Sequence, residues 1–215
     1  MTTQQQAIEL YYDSTPNGRK ITIMLEELGL PYSLNWVRIG RGDQFKPEFL
    51  AISPNNKIPA IVDPEGPGGD PISIFESGAI LKYLAEKFDR LYPADRRSRV
   101  MVDEWLFWQV GGFGPMLGQA HHFLRDAPER MAYASERYQK EAQRLYRVLD
   151  TRLGGREFVA GDYSIADIAI FAWAHRHPRH RIDLADYPEV ERWYRTLEAR
   201  PAVATALAIR DPEAG

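Results

Sequence analysis

Residues 7–21 read Ala7-Ile8-Glu9-Leu10-Tyr11-Tyr12-Asp13-Ser14-Thr15-Pro16-Asn17-Gly18-Arg19-Lys20-Ile21, and they set the architecture of the first half of the chain. Residues 7–12 predict a strand, and Pro16 and Gly18 punctuate a turn. Helical spacing of Ile21, Met24, Leu25 and Leu28 predicts a helix, which Gly29 stops. Working outward, residues 32–39 alternate as a second strand and residues 45–52 form a short, weaker helix. Residues 58–62 and 72–75 are two brief strands joined by a Gly/Pro-rich loop over 64–71. A helix over 77–88 carries Ile80, Leu81 and Leu84 on one face. The order βαβαββα predicts a small mixed sheet with helices on its faces.

Residues 90–98 are polar, contain Pro93 and read as a linker. Beyond them the strand signal nearly vanishes. Helical patterns fill 99–123, 135–153, 165–175 and 188–199, and Gly154-Gly155 ends one of them. The expected organisation is an α+β domain over 1–89, the linker over 90–98, and an all-α domain over 99–215 whose last residues, 211–215, fray. No internal repeat or low-complexity tract interrupts it.

At 215 residues and 44% hydrophobic, the chain has enough apolar side chain for a real core. A net charge of −3 gives no basic footprint for nucleic acid, and no polybasic run marks a membrane surface. The start, residues 1–6, is polar with no apolar signal core, and no apolar run approaches the roughly 20 residues of a membrane span. The expected setting is the cytoplasm. There is no cysteine, which excludes structural disulfides and cysteine-ligated metals. Any sulfur chemistry must use sulfur brought by a ligand.

Three stretches carry groups that suit such a ligand: Thr15-Pro16-Asn17-Gly18, Asn56-Lys57-Ile58-Pro59 and Phe75-Glu76-Ser77-Gly78. Thr15 and Asn17 stand at a helix start, where backbone N–H groups lack intrahelical partners and the dipole favours negative charge. A thiolate is one candidate anion; donors at such an end lower a thiol pKa from its usual ~8.5. The alternative is that Thr15 only caps the helix and Asn17-Gly18 only turns the chain. Pro59 opens a strand. A cis bond there would turn the Ile58 backbone toward an extended peptide, whereas a trans bond would make it an ordinary edge proline. Ser77 reads as a helix N-cap and Glu76 as a partner for an ammonium, so an amine and a carboxylate on one carbon would satisfy both. A cap beside a solvated acid is the plainer alternative.

The chain resembles the cytosolic glutathione transferases, specifically the bacterial Nu class, which is related to the fungal nitrogen-regulator and prion-type transferases. The resemblance runs over nearly the whole chain. It is most specific in Thr15 to Ile21, in Ile52-Ser53-Pro54-Asn55-Asn56-Lys57-Ile58-Pro59-Ala60-Ile61, in Phe75 to Ile80, and in Trp105-Leu106-Phe107-Trp108-Gln109-Val110-Gly111-Gly112. It implies a thioredoxin-like N-terminal domain, an all-helical C-terminal domain and a homodimer. It implies that Thr15 and Asn17 contact the glutathione sulfur and that Ile58, before a cis Pro59, pairs with the cysteinyl backbone. Glu76 and Ser77 would hold the γ-glutamyl end. Gln44 and Lys57 would serve the glycyl end or a second glutathione, and Arg137 would reach a glutathione across the dimer. The second domain would supply a substrate wall of Trp108, Phe113 and Met116, with Leu117, around Gly111-Gly112 and Gly114-Pro115, where a regular helix should break or kink. The co-substrate implied is glutathione, as thiol or as glutathione disulfide, and the substrate a small disulfide or an electrophile. Glutathione-dependent disulfide reduction is the activity expected, probed against two alternatives: an electrophile-conjugating transferase with peroxidase side activity, and a glutathione-binding regulator.

Ser164-Ile165-Ala166-Asp167 is a capping box, so Asp167 is assigned to folding and not to catalysis. His121-His122 and the stretch His175 to Arg181 do not suit a metal, because adjacent histidines diverge on a helix and Arg176, Arg179 and Arg181 repel a cation.

Overall fold

A computed structural model of the chain describes residues 6–213. The expectations for residues 1–5 and 214–215 lie outside the described residues. The chain divides into two compact units, Met1–Arg90 with Pro201–Gly215, and Leu91–Arg200.

The first unit runs β1 (Ile8–Tyr12), α1 (Pro16–Leu28), β2 (Tyr32–Trp36), α2 (Pro47–Leu50), β3 (Ala60–Asp63), β4 (Ile72–Phe75) and α3 (Ser77–Lys87). This is the expected βαβαββα order, with β2 ending three residues earlier than its alternation suggested. The strands form one four-stranded sheet in the order β2-β1-β3-β4. β1 runs parallel to β2 and antiparallel to β3, and β4 is antiparallel to β3. β1 alternates as a half-covered strand should: Ile8, Leu10 and Tyr12 are buried and Glu9 is exposed. α1 is buried over Gly18 to Leu25, polar residues included. Gly29 closes it in the left-handed region at φ 68°, with its N–H on the Leu25 and Glu26 carbonyls.

The second unit holds α4 (Arg96–Trp108), α5 (Gly114–His121), α6 (Ala132–Leu153), α7 (Ile165–Ala174) and α8 (Pro188–Glu198). The regular α-helix is interrupted near Gly111, as expected, without a break in the chain's helical path. A wide π-type turn over Gln109–Phe113 carries α4 into α5. The glycine that matters is Gly114, where a Cβ would lie 2.6 Å from the Gln109 side chain and 3.2 Å from the Trp173 indole. Close packing of α5 on α7 therefore needs a residue without a side chain there.

The C-terminal stretch departs from its expected place in the helical domain. A further helix, α9 (Pro201–Ala208), packs on α1 within the first unit. The buried Arg19 donates from Nη1 to the Leu207 carbonyl at 3.1 Å. Beyond α9, Arg38 grips the Asp211 carboxylate at 2.8 and 3.0 Å, and Arg41 meets Glu213 at 2.9 Å.

The capping box forms as expected. Asp167 is fully buried, and its carboxylate accepts from Val159 N, Trp193 Nε1 and Ser164 N at 2.9, 2.9 and 3.1 Å. Burial pushes this carboxyl up to about 6 against the pull of those donors. Among the described residues no group of three or more His, Cys, Asp or Glu is placed to hold an ion. His180 is instead buried against Trp173 and His121, and burial with the neighbouring His121, His177, Arg176 and Arg179 pushes it down to about 3, so it is neutral.

Asp167→Ala would leave three buried N–H donors without an acceptor. It is expected to lower unfolding free energy by about 3 kcal/mol or more in urea denaturation; a change within about 0.5 kcal/mol would remove Asp167 from the folding role assigned to it.

Candidate functional site

The sheet register gathers the three quoted stretches. Tyr11 pairs with Ala60, and Ala60 pairs with Phe75. That row marks the C-terminal end of β1, the N-terminal end of β3 and the C-terminal end of β4. Thr15, Ile58-Pro59 and Glu76-Ser77 follow or precede it by a few residues, so all emerge at one end of the sheet. Parallel pairing of Tyr12 with Trp36 brings the end of β2 to the same side, and with it the loop that carries Gln44.

At the start of α1, Thr15 is the N-cap: its Oγ1 accepts from Gly18 N at 3.1 Å. The capping reading is therefore correct as far as it goes. A hydroxyl that accepts through a lone pair keeps its own hydrogen for donation, so capping leaves Thr15 able to donate to an anion as well. Asn17 follows Pro16 in the first turn and is half-buried. Gly18 is there for space: a Cβ would stand 2.3 Å from the Asp13 carbonyl. Asp13 in turn accepts from Ser14 N at 2.6 Å and from Ile39 N at 3.1 Å, which ties the α1 start to the next loop.

That loop contains two short 3-10 turns, Ile39–Arg41 and Asp43–Phe45. Asp43 accepts from Arg38 N at 3.1 Å and pairs with Lys46 at 2.6 Å, and these contacts hold its carboxyl below the usual range. Between them Gln44 is half-buried, and its Oε1 is buried with no hydrogen-bond partner. The Ile58-Pro59 peptide bond is cis. Ile58 packs against the cluster of Val37, Phe49 and Ala60. Lys57 is exposed, and its carbonyl accepts from the buried Ser53 hydroxyl at 2.8 Å.

The third stretch corrects the sequence reading. Ser77 is not the N-cap but the first residue of α3; Glu76 takes the cap position, with no side-chain cap bond. Glu76 has φ 71° and ψ 113°, a positive-φ conformation that glycine tolerates and a side-chain-bearing residue adopts at a cost. Its side chain is exposed at the sheet end. Ser77 is buried, and its Oγ accepts from Lys20 Nζ at 3.1 Å. Lys20 has no part in the sequence reading of the site, although its spacing to Ile23 and Met24 put it on the buried face of α1.

In the helical unit, Arg137 is exposed and lines a groove of about 640 Å³ with Met116, Tyr133, Tyr138, Arg144 and Arg147. Trp108 is half-buried and stacks on Phe113 at 5.0 Å between centroids. Phe113 itself is fully buried, packed on Tyr146, and presents no surface to a substrate. Its contact with a small molecule is at most indirect, through the placement of Trp108.

The glutathione S-transferase N-terminal domain family matches residues 15–87, and the glutathione S-transferase C-terminal domain family matches residues 114–201. The chain is 56% identical to the disulfide-bond oxidoreductase YfcG of Escherichia coli strain K12, over 93% of this chain and 94% of that one. It is similar to the crystal structure of a Pseudomonas putida glutathione transferase with one glutathione disulfide bound per subunit, at a TM-score of 0.91 and 45% identity, covering 95% of this chain and 92% of that chain. A Pseudomonas fluorescens family member solved with two glutathione bound matches at a TM-score of 0.90 and 46% identity, over 95% and 93% of the two chains.

Glu76→Gly removes the side chain that makes φ 71° costly. It is expected to raise unfolding free energy by about 1 kcal/mol, read by chemical denaturation; a less stable variant would mean that the backbone at 76 holds no strain.

Proposed function

The chain belongs to the glutathione S-transferase family, and we propose that it is a glutathione-dependent disulfide oxidoreductase in which bound glutathione is the only sulfur nucleophile. The observation that carries this is a site assembled at the end of a thioredoxin-like sheet in a chain with no cysteine. No mixed disulfide with the protein is possible. The similarity to a disulfide-bond oxidoreductase, and to structures holding glutathione disulfide or two glutathione molecules, supports the same reading.

Each step balances with glutathione alone. A glutathione thiolate attacks one sulfur of a disulfide R–S–S–R; a mixed disulfide forms and one R–S⁻ leaves to take up a proton. A second glutathione thiolate attacks the glutathione sulfur of the mixed disulfide, forming glutathione disulfide and releasing the other R–S⁻. Two glutathiones are oxidised and the substrate disulfide is reduced. The protein contributes orientation and thiolate stabilisation.

Thr15 donates its hydroxyl hydrogen, and Asn17 its amide, to the thiolate at the positive end of α1. Ile58 pairs with the cysteinyl backbone beside Pro59. Glu76 takes the γ-glutamyl ammonium and Ser77 the carboxylate on the same carbon. Gln44 and Lys57 serve the glycyl end or the second glutathione. Trp108 and Met116 face the substrate, with Phe113 setting the angle of Trp108. The working unit is a homodimer in which Arg137 reaches a glutathione of the neighbouring subunit. The cytoplasm, where the glutathione pool is kept reduced, is the compartment that drives this reaction forward. No described helix is long and apolar enough to cross a membrane.

The test is reduction of 2-hydroxyethyl disulfide with glutathione, glutathione reductase and NADPH. A rate well above the uncatalysed one is expected, and a rate equal to it would overturn the proposal. Thr15→Ala and Asn17→Ala should each lower turnover roughly threefold to tenfold, the scale of a thiol pKa rise of up to one unit, with glutathione affinity changed by no more than about threefold. Unchanged turnover in both would remove them from sulfur activation.

A further inference from the structure

Lys20 is the charged residue at the site that this mechanism leaves without a task. It is 1% exposed, on the inner face of α1, and its Nζ donates to Ser77 Oγ at 3.1 Å. Burying an ammonium costs stability, and a methionine would fill similar volume without that cost. Packing alone gives no reason for a lysine here.

Hydrogen-bond arithmetic supplies one. A serine hydroxyl has one hydrogen and two lone pairs, whereas an ammonium only donates. Once Lys20 occupies a lone pair of Ser77, the serine hydrogen is left for an acceptor on the other side. The Ser77 hydroxyl belongs to the first residue of α3, where backbone N–H groups also await an acceptor. Lys20 thus lays a buried positive charge beside a hydroxyl whose hydrogen stays available to another acceptor, and Glu76 stands one residue away for a cationic neighbour.

We propose that Lys20 is a positioning residue of the glutathione site, acting through Ser77 to select a ligand that bears a carboxylate on the γ-glutamyl α-carbon. The assignment rests on the proposed function. The direction of its pH dependence follows from the environment. Burial lowers Lys20 to about 7, opposed by Glu76, the charged group that acts on it from the start of α3. The cation is therefore present below pH 7 and lost as pH rises through it, and a bound carboxylate draws the proton back. Affinity for the carboxylate-bearing ligand falls with rising pH.

S-methylglutathione removes the thiol, and with it the titration of sulfur. Its partner probe is the S-methyl derivative of γ-aminobutyryl-cysteinylglycine, which keeps the ammonium and lacks the carboxylate. Calorimetry on the wild type should show a preference of roughly tenfold or more for S-methylglutathione, the scale of a hydrogen bond to a charged group. Lys20→Met should lose most of that preference while binding the carboxylate-free probe within about twofold of wild type. A variant that keeps the full preference would overturn the assignment. Wild-type protein gives a second reading that needs no variant to fold. Between pH 6.5 and 8.5 its affinity for S-methylglutathione should fall while that for the carboxylate-free probe stays level; parallel profiles would overturn the assignment. Failure of wild type to bind S-methylglutathione at any pH would instead sink the function itself, and this assignment with it.

Discussion

Tyr11, Ala60 and Phe75 share one row of the sheet, and every group at the first unit's site hangs from that register. Because side chains alternate along a strand, a slip of one residue in β3 would turn Ala60 and Ile61 to opposite faces and displace the peptide before them. The register is held where it is by burial: Leu10, Tyr12, Ala60 and Ile61 are all fully covered. The chemistry at the sheet end is thus secured by apolar packing some distance behind it. The Asp13 carboxylate adds a local brace, taking one N–H from its own turn and one from the loop after β2.

Much of this was legible in the sequence, for identifiable reasons. β1, α1 and β4 have clean periodicities bounded by strong punctuation, and the structure returns β4 and the end of α1 at the residues expected. The Ser164–Asp167 box is a local motif, closed by groups three residues apart, so it needs no knowledge of the rest of the fold. What could not be read depends on distant partners. The π-type turn at Gln109–Phe113 leads into Gly114, which lies close to Gln109 and to Trp173, and nothing in the run of glycines distinguishes that outcome from a break or a kink. α9 is a short, mostly apolar run that packs on α1, where Arg19, far away in sequence, donates to its Leu207 carbonyl.

The site itself shows the same division. Thr15, Ile58, Pro59 and Glu76 announce themselves as turn and strand-end residues. Ser77 lies one position past the cap because the chain reverses at Glu76 with φ 71°, a conformation that glycine favours and that the sequence does not announce. The consequence is chemical. As an N-cap, Ser77 would spend its oxygen on its own helix; as the first helical residue it turns that oxygen inward to Lys20. The positive φ at Glu76 and the inward turn of the Ser77 hydroxyl thus occur at adjacent residues of the same helix start.

Arg19 and Lys20 extend this logic along the first turns of α1. Both are buried cations on one helix, and they meet different partners, Arg19 the Leu207 carbonyl and Lys20 the Ser77 hydroxyl. Arg19 reaches the Leu207 carbonyl of α9, a neutral acceptor in a purely structural contact. Lys20 reaches the buried Ser77 hydroxyl, in a setting charged by Glu76. Burial lowers the proton affinity of each, but only for lysine does the lowered value come near neutrality, because a guanidinium starts so much higher. An arginine at position 20 would keep its charge across the whole physiological range and gain nothing from a ligand's arrival. A lysine there responds to the carboxylate it helps to bind. The difference between two adjacent cations, one a fixture and one a titrating group, is what separates holding the fold together from serving the site.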